Sequence, residues 1–197
     1  DRILLNTAVH SVERRTGSVR LVDAHGEEGR FDHVIFACHS DQALGIVRDP
    51  TVAEVEVLNS FPYQANEAVL HTDPSVLPRR RKAWASWNYH VRPDAAERAT
   101  VTYNMNLLQS LPWKHVFNVT LNDAEAIDPE RVIRRILYHH PIFTARRGEA
   151  QRRHGELIAA NRTSYCGAYW GYGFHEDGVR SALAVCNALS KREEAAA

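Results

Sequence analysis

The chain has 197 residues, 44% of them hydrophobic, enough for one good core or two small ones. Lys+Arg and Asp+Glu balance at 24 each, so no global charge argues for nucleic acid or a membrane surface as partner. The three cysteines, Cys38, Cys166 and Cys186, are widely spaced and odd in number, which suits a reducing, cytoplasmic setting and excludes a CxxC metal pair, and no apolar run approaches the length of a membrane helix.

Thr7–Arg14 and Val19–Asp23 are β-branched runs separated by Thr16-Gly17, which predicts a hairpin. Ala24–Gly29 is a polar turn, and His33–Cys38 (HVIFAC) is a short buried strand of the sort found in a dinucleotide-binding sheet. Ser40 or Asp41 is placed to cap a helix running to Val47, and Asp49–Ser60 reads as a second helix with Val52, Val55 and Leu58 on its apolar side. Four strands of an antiparallel sheet are expected next, at Ala65–His71, Ala83–His90, Thr100–Met105 and His115–Leu121. Their aromatic residues, among them Trp84, Trp87, Tyr89 and Tyr103, are either core or the lining of a pocket. Asp128-Pro129-Glu130 is a helix start that Arg131–Leu137 can continue; Pro141 forces Tyr138-His139-His140 out of it and leaves a strand over Ile136–Phe143 as the alternative. Glu149–Ala159 forms a polar helix interrupted by Gly155, Arg162–Ala168 a returning strand, and Lys191–Ala197 a frayed tail.

Between that strand and the tail lies the most informative segment, Cys166–Leu183 (CGAYWGYGFHEDGVRSAL), with glycines at 167, 171, 173 and 178. From Val179 it becomes a helix whose apolar residues Val179, Ala182, Leu183, Cys186 and Leu189 share a face. A glycine-rich turn opening a helix offers unpaired N–H groups and a positive dipole end to an anion; the same pattern also occurs as a plain strand-to-helix loop. The segment resembles the C-terminal cofactor-contacting region of the flavin-containing amine oxidoreductase superfamily, and most closely its predicted NAD/FAD-binding amine oxidase-like subgroup, built on a Rossmann-like nucleotide-binding lobe. FDHVIFACHSDQAL (Phe31–Leu44), NEAVLHTD (Asn66–Asp73), WASWNYH (Trp84–His90) and YHHPIFT (Tyr138–Thr144) agree with that subgroup. The superfamily's opening GxGxxG turn, which holds the ADP half of FAD, does not occur in this sequence, so the chain resembles the C-terminal half of such an enzyme.

The resemblance implies an α/β fold of α+β character in two interleaved lobes. Residues 1–48 and 144–190 form a residual FAD-binding lobe, residues 49–143 a substrate lobe with a mixed, largely antiparallel sheet, and residues 191–197 a tail. It implies FAD as cofactor, a small-molecule substrate, and either a missing N-terminal nucleotide-binding half or a partner chain supplying it, in a cytoplasmic oxidoreductase that transfers hydride from a small organic or lipid-like substrate; this portion alone is expected to be inactive. The cofactor contacts implied are Val9, Cys38, Gly167, Ala168, Glu176, Asp177, Gly178 and Val179. Gly167 and Ala168 take the pyrophosphate or ribityl chain. Glu176 or Asp177 replaces the acidic residue that follows Ala-Gly in the superfamily. Tyr169 and Trp170, with Trp87, Asn88 and Tyr89, are the expected substrate pocket. His175 is the one candidate for proton transfer, and a hydrogen-bonding turn residue is its other reading. A non-catalytic scaffold remnant of a flavoprotein is a second hypothesis, and an unrelated hydrolase or metal enzyme a third. No metal site is expected, because His139-His140 diverge across a strand, His175-Glu176-Asp177 diverge around a helix, and no HExxH occurs. GxSxG is absent too, and Ser181 lies inside a helix.

Overall fold

In the computed structural model, which describes residues 2–91 and 99–196, Gly17 takes φ +79° and turns β1 (Val9–Arg15) back onto β2 (Ser18–Asp23). Gly26, at φ +81°, does the same before β3 (Glu28–Phe31), giving an antiparallel meander in the order β1-β2-β3. Only glycine reaches these conformations without a Cβ penalty, so two residues position three strands. Val12 and Val19 are its fully buried inward residues. Then come β4 (Val34–Phe36), α1 (Ser40–Ile46) and α2 (Val52–Leu58). Neither Ser40 nor Asp41 caps α1. Its N-cap is His39, and the Ser40 N–H donates to the Tyr63 hydroxyl at 3.1 Å. α2 starts later than expected, because Thr51 and Glu54 form a reciprocal capping box.

The chain divides into two compact units, Asp1–Tyr63 with Pro141–Ala197, and Gln64–His140. The cuts fall after Tyr63 and before Pro141 rather than at 48/49 and 143/144, since α2 belongs with the first unit. The second unit holds most of a five-stranded sheet in the order β6-β7-β8-β5-β9. Its strands are β5 (Tyr63–His71), β6 (Trp87–Tyr89), β7 (Val101–Asn104), β8 (Asn118–Leu121) and β9 (Val132–Pro141), with a one-turn helix, α3 (Met105–Leu108), after β7. The expected strand over Ala83–His90 shrinks to β6, preceded by a 3-10 turn at Arg81–Ala83. The helix expected from Arg131 does not form. Asp128 caps a single 3-10 turn, Pro129–Arg131, after which the β-branched run pairs beside β5. Sheet pairing thus overrides a local helix signal.

Register fixes the two faces of this sheet. Asn88, Thr102, Thr120 and Val69 lie in one row across four strands, and Asn104, Asn118 and His71 in the next. All seven are buried. The opposite face carries Trp87, Tyr103, Val119 and Leu70, then Tyr89, Val101 and Leu121. Trp87 packs edge-on against Tyr103, with ring centroids 5.3 Å apart. The fully buried face is mostly polar, with Val69 its apolar member, whereas the other face is apolar and half-buried, with Trp87 and Tyr89 exposed at its edge.

Back in the first unit, α4 (Arg147–Arg152) and a 3-10 turn (His154–Leu157) replace the single helix expected over Glu149–Ala159. β10 (Thr163–Tyr165) then pairs in parallel with β4, Tyr165 opposite Phe36. α5 (His175–Ala196) closes the chain; the frayed tail expected from Lys191 is helical, and Arg192 donates to the Ala159 carbonyl. Phe36, Val57, Leu58, Phe61, Leu157, Tyr165 and Tyr169 form the core of this unit. The helix buries a different face from the one expected. Ser181 and Val185 point inward while Val179, Leu183 and Cys186 are exposed, because the Ser181 hydroxyl bonds both the N–H (2.9 Å) and the carbonyl (3.1 Å) of Gly167. No helix among the described residues is long and apolar enough to cross a membrane.

Candidate functional site

β4 and β10 end side by side: the Cys166 N–H donates to the Phe36 carbonyl at 2.8 Å, which sets Cys38 near the glycine-rich turn. Gly167 leaves β10 at φ +159°, and a Cβ there would collide with the Tyr169 ring. A 3-10 turn, Ala168–Trp170, follows, then Gly171 to Phe174 and the start of α5. Asp177 accepts from the N–H groups of Tyr172 and Phe174, both at 3.0 Å. A Cβ on Gly171 would strike the Asp177 carboxyl, so this glycine is required by close approach. From the other side, Gln151 donates to the carbonyls of Tyr169 (3.0 Å) and Gly171 (2.7 Å), and Arg147 donates to the same Gly171 carbonyl.

The side chains that stand out from this turn are Tyr172 and Phe174, 76% and 59% exposed. Tyr169 is buried in the core against Phe61, and burial raises its hydroxyl pKa. Trp170 is half-buried and stacks on His154 at 4.0 Å; burial lowers the pKa of that imidazole against the opposing pull of its bond to the Tyr165 carbonyl. His175 and Val179 are exposed at the start of α5. Glu176 is exposed and pairs loosely with Arg180 at 3.7 Å, whereas Asp177 is committed to the turn. Val9 and Cys38 line one apolar cavity of about 780 Å³, with Val34, Phe36 and Gly45. Burial raises the Cys38 thiol pKa, so it is a poor nucleophile. In the second unit, Trp87 and Tyr89 project from the outward face. Asn88 points the other way, donating to the carbonyls of Ala85 (2.7 Å) and Thr102 (3.2 Å).

Two arrangements had no signal in the sequence. One is the support of the turn by Arg147 and Gln151, which the polar string RGEAQ (Arg147–Gln151) conceals. The other is a buried ionic centre joining β1, α2 and β10. Arg14 pairs with Glu54 and also bonds Thr163 Oγ1 (2.7 Å) and the carbonyls of Asp49 (2.9 Å) and Asn161 (3.0 Å). Glu54 further accepts from the Thr51 N–H and the Tyr165 hydroxyl, each at 2.7 Å. Burial pushes the Glu54 carboxyl up, but these hydrogen bonds and the Arg14 charge outweigh it and hold it below the ordinary carboxylate range. Among the described residues no group of three or more His, Cys, Asp or Glu side chains could hold a metal ion.

Around the helix start, two glycines leave bare backbone at the surface. A methyl group on Gly173 would meet nothing within 4 Å, and one on Gly178 only the Ala168 N at 3.8 Å, so bare backbone is approachable there. At the start of this 22-residue helix the N–H groups of Asp177 (3.0 Å) and Gly178 (3.3 Å) both donate to the Phe174 carbonyl, which leaves those of His175 and Glu176 as the donors without a partner among the described residues.

The family model for flavin containing amine oxidoreductases matches residues 1–190. A search of curated proteins finds no match. Solved structures that share the fold include a CLA-producing fatty acid isomerase from P. acnes, 13% identical, with TM-score 0.59 over 88% of this chain and 45% of that one. Others are a putative protoporphyrinogen oxidase from an Exiguobacterium species (14% identical, TM-score 0.59, 94% and 47% covered) and cyclohexylamine oxidase from Brevibacterium oxydans (12%, 0.59, 97% and 49%). The chain spans about half the length of these structures. With the family match running almost end to end over the same elements that build the turn and its helix, the chain belongs to the flavin containing amine oxidoreductases, whose cofactor is FAD.

Proposed function

We propose that this chain forms the part of an FAD-dependent oxidoreductase that cradles the flavin and carries one wall of its substrate site. When bound, FAD supplies the hydride-accepting chemistry, and the protein's task is to bind, orient and exclude water. The single observation carrying this reading is the convergence of the β4 and β10 ends with a bare-backbone turn at the start of α5. In this reading Gly167, Ala168 and the Gly178–Val179 backbone hold the cofactor. Glu176 is the carboxylate free to meet the ribityl chain, Asp177 being engaged in the turn. The helix start stabilises negative charge that develops at the pyrimidine edge. Val9 and Cys38 line the apolar cavity that takes part of the nucleotide.

Trp87 and Tyr89 supply aromatic surface for a small organic or lipid-like substrate, by shape more than by acid–base groups. His175 is exposed and near the turn, and serves as a proton donor or acceptor only if substrate reaches it. The ADP half of FAD is held by sequence outside these residues or by a partner chain, so residues 1–197 alone bind FAD weakly. Three free cysteines fit work in the cytosol. The test is co-expression with a nucleotide-binding half supplied as a separate chain. A visible flavin band that bleaches anaerobically with amines or unsaturated lipids supports the reading. A folded, colourless complex points instead to a non-catalytic scaffold.

A further inference from the structure

Arg147 is 3% exposed, yet among the described residues it has no carboxylate partner. Its Nη2 donates to the Gly171 carbonyl, its Nε and Nη1 have no hydrogen-bond partner, and its guanidinium lies 3.7 Å from the Phe143 ring centroid. Burial lowers its pKa, with Tyr63 and Asp177 opposing that shift. A buried, unpaired cation is a costly way to fill space, and a methionine or leucine would pack the same volume without that cost. Stability therefore does not account for this arginine. Its one hydrogen bond, to the turn that displays Tyr172 and Phe174, does.

We propose that Arg147 is a positioning residue. With Gln151 and Asp177 it locks the Gly171–Phe174 turn, so that the exposed side chains of Tyr172 and Phe174 are held in one orientation. The lock has two jaws. Arg147 and Gln151 grip the turn through carbonyl oxygens from α4, and Asp177 grips it through N–H groups from α5. Opposite charges thus sit on opposite sides of one short loop, and its backbone is restrained at residues 169, 171, 172 and 174. Gly173, at φ +93°, is the one member of the turn in a left-handed conformation, which lets the two aromatic side chains diverge.

This inference rests on the proposed cofactor-facing role of the turn, and the experiment separates the two. Amide hydrogen exchange is followed at Tyr172 and Phe174 in the full chain, with α5 amides around Val185 as internal control. Arg147→Met should speed exchange at the two turn amides by about tenfold or more, the equivalent of one lost charge-assisted hydrogen bond, with the Val185 control unchanged. Asp177→Ala should do the same, while Asp177→Asn, which keeps an acceptor, should restore protection. Unchanged turn exchange in both Arg147→Met and Asp177→Ala overturns the lock, and so does acceleration that extends equally to Val185. Tyr172→Ala and Phe174→Ala, made in the FAD-loaded complex, test the underlying role. If both leave the flavin spectrum and FAD affinity as they were, the turn does not face the cofactor, whatever the exchange data say of Arg147.

Discussion

Replacing Glu54 by glutamine tests the buried ionic centre most directly. The change conserves shape but leaves Arg14 without its ionised partner, and sets an amide N–H2 against donors from Thr51. Breaking a buried pair from one side costs about 3–5 kcal/mol. Two features argue for the lower end: Arg14 keeps the Asp49 and Asn161 carbonyls, and the Asp49 carboxylate remains 3.4 Å away at a side chain 41% exposed. The expected loss is about 3 kcal/mol, or a fall in Tm of about 6–12 °C for a chain of this size. Urea unfolding at pH 7 measures it. Because the Glu54 carboxyl is held below its unfolded value, its contribution is full above the ordinary carboxylate pKa and disappears as pH falls through the lower folded value. The gap between wild type and Glu54→Gln should therefore close in acid. Exchanging both partners, Arg14→Met with Glu54→Leu, should cost less than the sum of the single changes. A Glu54→Gln protein within 1 kcal/mol of wild type (roughly the value of an exposed pair), or one whose deficit persists at low pH, would refute the reasoning.

A Cβ in Gly178→Ala meets only the Ala168 backbone N, at an ordinary contact distance of 3.8 Å, so the change should stabilise the unliganded protein by about 0.5–1 kcal/mol while lowering FAD retention; unchanged retention in the loaded complex would remove this helix start from the cofactor site. Gly171→Ala, which drives a Cβ into the Asp177 carboxyl, should instead cost about 1–3 kcal/mol, read by thermal unfolding. Burial lowers the pKa of His71 from 6.5 despite the opposing charge of Asp73, so protonation favours the unfolded state. Protection of β5 and β8 amides should be full above pH 6.5 and decline below it, and His71→Gln should flatten that decline. On the sheet, Asn88→Ala should cost about 1–3 kcal/mol through lost buried hydrogen bonds, whereas Tyr89→Ala, 65% exposed, should stay within about 0.5 kcal/mol in chemical unfolding.

What could be read from the sequence was what local chemistry decides. Thr16-Gly17 announced the first hairpin because the turn needs a left-handed residue. HVIFAC announced β4 because a short apolar run between polar turns has few other fates. The segment around β9 misled because Asp128-Pro129 does start a turn, while the strand that follows is fixed by β5, more than sixty positions earlier. On α5, the apolar stripe Val179–Leu183–Cys186 suggested the wrong face. The buried side carries Ser181 and Val185, and the Ser181 hydroxyl ties it to both backbone groups of Gly167. The Arg14–Glu54 pair and the Arg147 anchor were invisible, since both join residues that only the fold makes neighbours.

The sheet of the second unit divides labour between its two faces. Its cohesion is carried by Thr102, Thr120 and His71, linked hydroxyl to hydroxyl to imidazole at 2.8 Å each, with Asn88 and Asn118 tied to neighbouring backbone. Such a lattice favours one strand register, and beside the Val69–Val76–Ile127 cluster it holds the scaffold from the buried side. Side chains such as Trp87 and Tyr89 are consequently free to be exchanged without unfolding their support. A lineage built on this sheet can explore new surfaces one residue at a time, each step nearly neutral for folding, which is the condition under which binding preferences drift fastest.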